Sequence, residues 1–170
     1  MIRPVLKYGA PQLRERSRVV ETFDTELERL GKDLFETMYA EGGVGLAAPQ
    51  IGVNLRLIVC DVSGAGEKGK SFCLVNPEVI SQEGKEKSEE GCLSIPGFSA
   101  IVERPIQVGV KALSLWGDVI QIEATGLLAR ALCHEIDHLD GILYLDRISR
   151  LKRDLIKRKI RKLVKARKWG

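Results

Sequence analysis

The sequence predicts an α+β fold: antiparallel strands around a central helix that carries two histidines, with one helix before the strands and a basic helix after them. Three observations carry this. An amphipathic run occupies 22–41, apolar patterns of period two recur between 56 and 122, and a helix-forming run at 126–133 leads into His134-Glu135-Ile136-Asp137-His138. Helices grouped before and after the strands, rather than alternating with them, favour α+β over a parallel α/β sheet. With 170 residues and 44% apolar content, the chain can bury one real core. Residues 1–147 are expected to form the main domain. Residues 148–170 are expected to form a basic amphipathic helix, part of that domain or an extension of it.

In the first helix Phe23, Leu27, Leu30, Leu34, Phe35 and Met38 fall at three- and four-residue steps, and Thr22 or Asp24 can cap it. Glu41-Gly42-Gly43 stops it. Residues 42–50 are small and read as a flexible segment ahead of a strand at 56–62. Residues 63–70 read as an exposed hairpin loop, with strands following at 72–80 and 86–90. Pro96-Gly97-Phe98 reads as a turn between strands. Residues 100–104 and 106–112 are strand-like, and Trp116-Gly117-Asp118 turns into a last strand at 119–122. The run from Gly126 to Cys133 favours helix, and Gly141 is the expected stop.

His134 and His138, the two histidines of the chain, lie about 40° apart around a helix and one turn along it, so both rings can face one ion. This is the H-E-x-x-H arrangement, with Glu135 as candidate general base. Such sites commonly use three protein ligands and keep a position open. Tyr144 stands where a longer metallopeptidase signature needs a third His, and no Glu follows Glu135. Cys60 and Cys73 lie in apolar runs where an inert buried thiol is the default. Cys133 adjoins His134 but points about 100° away. Cys92, in Glu90-Gly91-Cys92-Leu93-Ser94, is the remaining good candidate and the expected third ligand. Leu127 and Ala131 share the face of His134 and are candidates for an apolar substrate pocket. Arg130 is also on that face and reads as a surface ion pair.

Gly43-Val44-Gly45-Leu46-Ala47-Ala48-Pro49-Gln50, Glu90-Gly91-Cys92-Leu93-Ser94 and His134-Glu135-Ile136-Asp137-His138-Leu139-Asp140-Gly141 resemble, in order and spacing, the three signature motifs of peptide deformylases. The resemblance extends from Leu6 to about Arg147. It implies hydrolysis of the N-terminal formyl group of formyl-methionyl nascent peptides, with release of formate. It also implies that the Gln50 side chain and the Leu93 backbone N–H receive the developing oxyanion, and that Val44, Gly45 and Gly91 line up an extended peptide. Glu90 and Arg104 are expected to pair and hold the Cys92 loop. A thiolate with two imidazoles accepts zinc, iron, nickel or cobalt, and the resemblance implies ferrous iron as the natural ion.

Residues 147–170 hold twelve Lys or Arg and one acid, so this stretch carries +11 in a chain whose total is +4. Ile148, Leu151, Leu155, Ile156, Ile160, Leu163 and Val164 give it helical periodicity. The first half is expected to dock on the body, and the basic face to contact ribosomal RNA, as the resemblance also implies; an anionic membrane surface is the weaker alternative. No apolar run of about 18 residues spans a membrane, and no signal or organelle leader is evident, so a cytoplasmic address is expected. A metallopeptidase lacks its third ligand here. An RNA-binding protein with a closed structural metal has no use for Glu135 and Gln50.

Overall fold

The structure is a computed structural model that describes residues 1–65 and 71–170. The hairpin loop expected at 63–70 lies partly outside the described residues; its first part, Ser63–Ala65, is a single 3-10 turn.

Helix α1 spans Thr25–Ala40, and the Asp24 side chain accepts from the Leu27 N–H as its cap. The strands are β1 (Gly45–Ala47), β2 (Leu57–Asp61), β3 (Ser71–Glu83), β4 (Glu86–Cys92), β5 (Ile95–Arg104), β6 (Gln107–Leu113) and β7 (Val119–Thr125). They are followed by α2 (Gly126–Leu139) and α3 (Arg150–Lys165). All pairings within the two sheets are antiparallel: β1-β2-β3-β6-β7 form one sheet and β4-β5 a separate hairpin.

Strand alternation distributes the core between two helices. Ile58, Cys60 and Leu74 point to the face covered by α2, where they meet Leu128, Leu132 and Ile136. Their neighbours Leu57, Val59 and Val75 point to the opposite face, against Leu27, Leu30, Leu34 and Met38 of α1. Strand β2 is therefore apolar on both sides, which is why Leu57 to Cys60 is a continuous buried run. A third cluster joins the β4-β5 hairpin to Leu143, Tyr144 and Leu145 and to Ile156 and Ile160 of α3.

Three expectations change. Residues 45–51 take regular structure, with β1 on the sheet edge and a 3-10 turn at Ala48–Ile51, and the small residues Gly43 and Gly45 admit the Leu93 and Glu135 side chains. The chain reverses at Leu93-Ser94, not at 96–98. Gly91 pairs with Ser99 and Cys92 with Ile95, so Pro96-Gly97-Phe98 is a three-residue bulge in β5, with Gly97 at φ 83°. On α3 the docking is central rather than at its first half: Leu151 is 84% exposed, whereas Ile156 and Ile160 are buried. Among the described residues no helix is long and apolar enough to cross a membrane.

Candidate active site

The fold assembles the three sequence motifs around one face of α2. This helix ends at Leu139 with Asp140 as its cap, and Gly141 follows with φ 72°, packed where a Cβ would meet the Arg14 carbonyl oxygen at 2.5 Å. Leu128 to Leu139 are all buried, which fixes both histidines from behind.

His134 and His138 have their Nε2 atoms 3.2 Å apart, and His138 Nε2 is 3.4 Å from Cys92 Sγ. Ligand atoms of the three residues all lie within 4.8 Å of one another. A tetrahedral ion at about 2.0–2.1 Å from nitrogen and about 2.3 Å from sulfur requires edges of about 3.3 Å and 3.6 Å. The His134–His138 and His138–Cys92 separations match those edges. The other ring nitrogen of His134, Nδ1, is 2.6 Å from Glu90 Oε1, which leaves Nε2 to face the cluster. Soft sulfur and two imidazoles form a donor set suited to a divalent transition metal.

The charges agree with a cation site. Burial opposes a charge on His134, but Glu135, Cys92 and Glu90 outweigh it and raise its pKa. Burial, together with His134 itself, pushes His138 the other way. Burial also pushes the Glu135 carboxyl up to about 7. Glu135 is 3% exposed, and its Oε1 has no hydrogen-bond partner among the described residues although it lies 3.9 Å from His138 Nε2.

Gln50 is oriented by its neighbours. Its Oε1 accepts from the Ala47 N–H at 2.9 Å, so its Nε2 faces the other way, donating to Ser94 Oγ at 3.1 Å and lying 3.7 Å from Cys92 Sγ. Val44, Gly45, Gln50, Gly91, Cys92 and Leu93 line one cavity of about 540 Å³ together with Leu127, Ala131, His134 and Glu135. His138 lies behind it, 1% exposed. Of the residues expected at the site, none is left elsewhere.

Behind the candidate ligands stands a buried ion-pair network. Arg104 donates to Glu90 at 2.6 and 3.1 Å and to Asp137 at 2.7 Å, as the expected Glu90–Arg104 pair requires. Burial alone would raise the Glu90 carboxyl, but hydrogen bonds from His134 and Arg104 hold it at about 2. Arg130 corrects the expected surface ion pair: it is buried and donates to Glu90 at 2.9 Å and to the carbonyls of Val102 and Glu86 at 3.0 and 3.1 Å. Its position four residues before His134 was the available signal. Nothing in the sequence singles out Ser94 Oγ or Asp137, although both lie inside the motifs. Tyr144 stacks beside His134, ring centroids 6.5 Å apart, and so walls the site where a third histidine would have been.

A family model described as polypeptide deformylase matches residues 2–154. Peptide deformylase from Acidobacterium capsulatum is 47% identical over 169 residues, covering 99% of each chain. Peptide deformylase 1 from Clostridium acetobutylicum is 51% identical over 148 residues, 87% of this chain and 95% of that one. The crystal structure of a peptide deformylase from Legionella pneumophila is similar with a TM-score of 0.90 and 47% identity, covering 98% of each chain. Matching family, near-complete coverage and one shared architecture lead to one conclusion: the chain belongs to the peptide deformylases, metal-dependent hydrolases that remove the N-terminal formyl group from formyl-methionine of newly synthesised proteins and release formate.

Proposed function

We propose that Cys92, His134 and His138 hold one divalent ion, Fe²⁺ in the cell and replaceable by Zn²⁺, Ni²⁺ or Co²⁺, and that Glu135, Gln50 and Leu93 perform the deformylation around it. The observation that carries this is the convergence of Cys92 Sγ and the two Nε2 atoms beside the unpartnered Glu135 carboxylate oxygen. When bound, the ion supplies Lewis acidity, which acidifies a water and polarises the formyl carbonyl.

The chain's residues do the rest. Glu135, buried and free at Oε1, takes a proton from the attacking water and returns it to the departing amine. Gln50 Nε2, oriented by Ala47, and the Leu93 N–H donate to the oxygen as negative charge develops on it. The peptide lies extended beside Val44 and Gly45, on the edge of the sheet that β1 leaves free, and beside Gly91. Leu127 and Ala131 line the same cavity and accept the methionine side chain.

Residues 1–147 and the following helix act as one folded unit, supported by Ile156 and Ile160 in the third core cluster. The outer, basic face of α3 is left to contact ribosomal RNA, and the protein works in the cytoplasm. Formate release from formyl-Met-Ala-Ser by anaerobically prepared protein tests the catalytic reading, with metal measured on the same sample. Wild type is expected to hold about one ion per chain, and Glu135→Ala to keep the ion while losing turnover. Loss of metal in that variant, or retained turnover, overturns the role given to Glu135.

A further inference from the structure

We propose that Trp169 is a positioning residue for the substrate: the segment following α3 folds back and clamps the wall of the active-site cavity. This rests on reading that cavity as the peptide site. The fold-back has a definite cause. Arg167 takes φ 55°, the Arg167 N–H donates to Val164 O at 3.0 Å, and the Lys168 N–H to Leu163 O at 2.8 Å. That pair of bonds is a Schellman motif, which ends the helix and redirects the chain. It brings Trp169 against Phe98 and Tyr8 instead of into solvent.

There Trp169 makes two contacts, and each leads to the site. Its indole lies against the Phe98 ring, centroids 6.2 Å apart at 60°, and Phe98 belongs to the β5 bulge that lines the cavity. A three-residue bulge lacks ladder bonds of its own, so the ring against its outer side restrains it. The indole N–H donates to the Tyr8 carbonyl at 2.9 Å. The Tyr8 N–H donates in turn to the Ser94 carbonyl at 2.8 Å, and Ser94 Oγ accepts from the Gln50 amide at 3.1 Å. Gly170 lies against the side chain of Lys7, another lining residue. The clamp thus bears directly on the 96–98 bulge and reaches the Leu93-Ser94 turn only through the Tyr8 main chain; among the described residues it makes no hydrogen bond to Cys92, His134, His138 or Glu135.

That separation sets the signature. Without the ring against Phe98 the bulge loosens and peptide binding weakens. The Tyr8–Ser94 and Gln50–Ser94 bonds, which do not involve the indole, stay in place with the metal site and the base, so KM moves and kcat does not. In steady-state formate release from formyl-Met-Ala-Ser, Trp169→Ala is expected to raise KM about three- to tenfold, the range one aromatic pair contributes. Its kcat and metal content should match the wild type. Trp169→Phe keeps a ring against Phe98 and loses only the indole N–H, so its KM should fall between the two; it also serves if the alanine variant does not fold. Unchanged KM in both variants, with or without a lower melting temperature, makes Trp169 a structural residue only and overturns the proposal. A fall in kcat accompanied by metal loss overturns it as well. The Glu135→Ala control, run on the same substrate, separates failure of the clamp from failure of the site reading.

Discussion

Gly45 is expected to be irreplaceable for a steric reason unconnected with backbone freedom. A Cβ at this position would lie 2.6 Å from Glu135 Oε2, 2.8 Å from Cγ and 2.9 Å from Cδ. Carbon atoms in contact sit about 3.5–4.0 Å apart, so in Gly45→Ala the Glu135 Cγ must withdraw by about 0.7–1.2 Å. Glu135 is 3% exposed and cannot swing into solvent. Strand β1 cannot easily give way either, since Gly45, Leu46 and Ala47 are paired with Cys60, Val59 and Ile58. Misplacing a reacting group by about 1 Å costs on the order of 10²-fold in rate. The expected outcome is a kcat for formate release lowered by about that factor, with the metal content of the wild type. A Gly45→Ala enzyme as fast as the wild type would refute the argument that Glu135 needs this space.

Gln50→Ala removes the amide that faces Cys92 and Ser94 and should lower kcat on the order of 10²–10³-fold, with metal content close to the wild type; a change confined to KM would count against an oxyanion role. Arg104→Ala leaves Glu90 and Asp137 buried and underpaired, and should cost about 3–5 kcal/mol of unfolding free energy together with metal retention, measured by urea unfolding and metal analysis. A stable, fully loaded variant would show the network to be dispensable. Asp146 answers to pH. Burial alone would raise its carboxyl, but Arg14 and the Leu143 N–H outweigh that and hold it below its usual range. Its stabilising effect is therefore complete above pH 3.8 and lost as pH falls below that value through the lower folded pKa. Wild type should exceed Asp146→Asn in urea midpoint at pH 7, and the gap should narrow at pH 3; a constant gap would contradict the assignment.

What the sequence made legible was local chemistry with a short spacing. The Asp24 cap, the Gly141 stop and the two histidines four residues apart each depend on neighbours within a turn or two. Cys92 was reachable because the other three cysteines had environments that argued against them; in the structure burial raises the thiols of Cys60 and Cys73, the latter to about 12. What failed depended on distant partners. Pro96-Gly97-Phe98 has the composition of a turn, but the register that turns it into a bulge is set by Gly91 and Cys92 across the hairpin. Residues 42–50 look flexible because glycine has two uses, and here the second one, admission of the Glu135 side chain, governs. The partners of Arg130 are 28 to 44 residues away. Periodicity placed the apolar residues of α3 on a stripe but could not say that Ile156 and Ile160 would find the β4-β5 hairpin while Leu151 would not.

The buried charges behind the site are best understood as an orienting device. Ion pairs taken out of water recover little net stability, because desolvation offsets the attraction, so Glu90, Arg104 and Asp137 are poorly explained as glue. Their connectivity explains them better. Asp137 lies on α2 three residues after His134; it holds Arg104, Arg104 holds Glu90, and Glu90 holds His134 Nδ1. The chain of contacts leaves the helix and returns to it one turn away. Arg147 adds two bonds to Asp137, at 2.8 and 2.9 Å, and Arg130 joins Glu90 from the preceding turn of α2. The His134 ring is thereby referenced to its own helix through the β4-β5 hairpin. Since that hairpin also carries Cys92, the same contacts fix the distance between the thiol and the imidazoles. A candidate metal site split between a helix and a hairpin needs such a brace, which accounts for burying these charges.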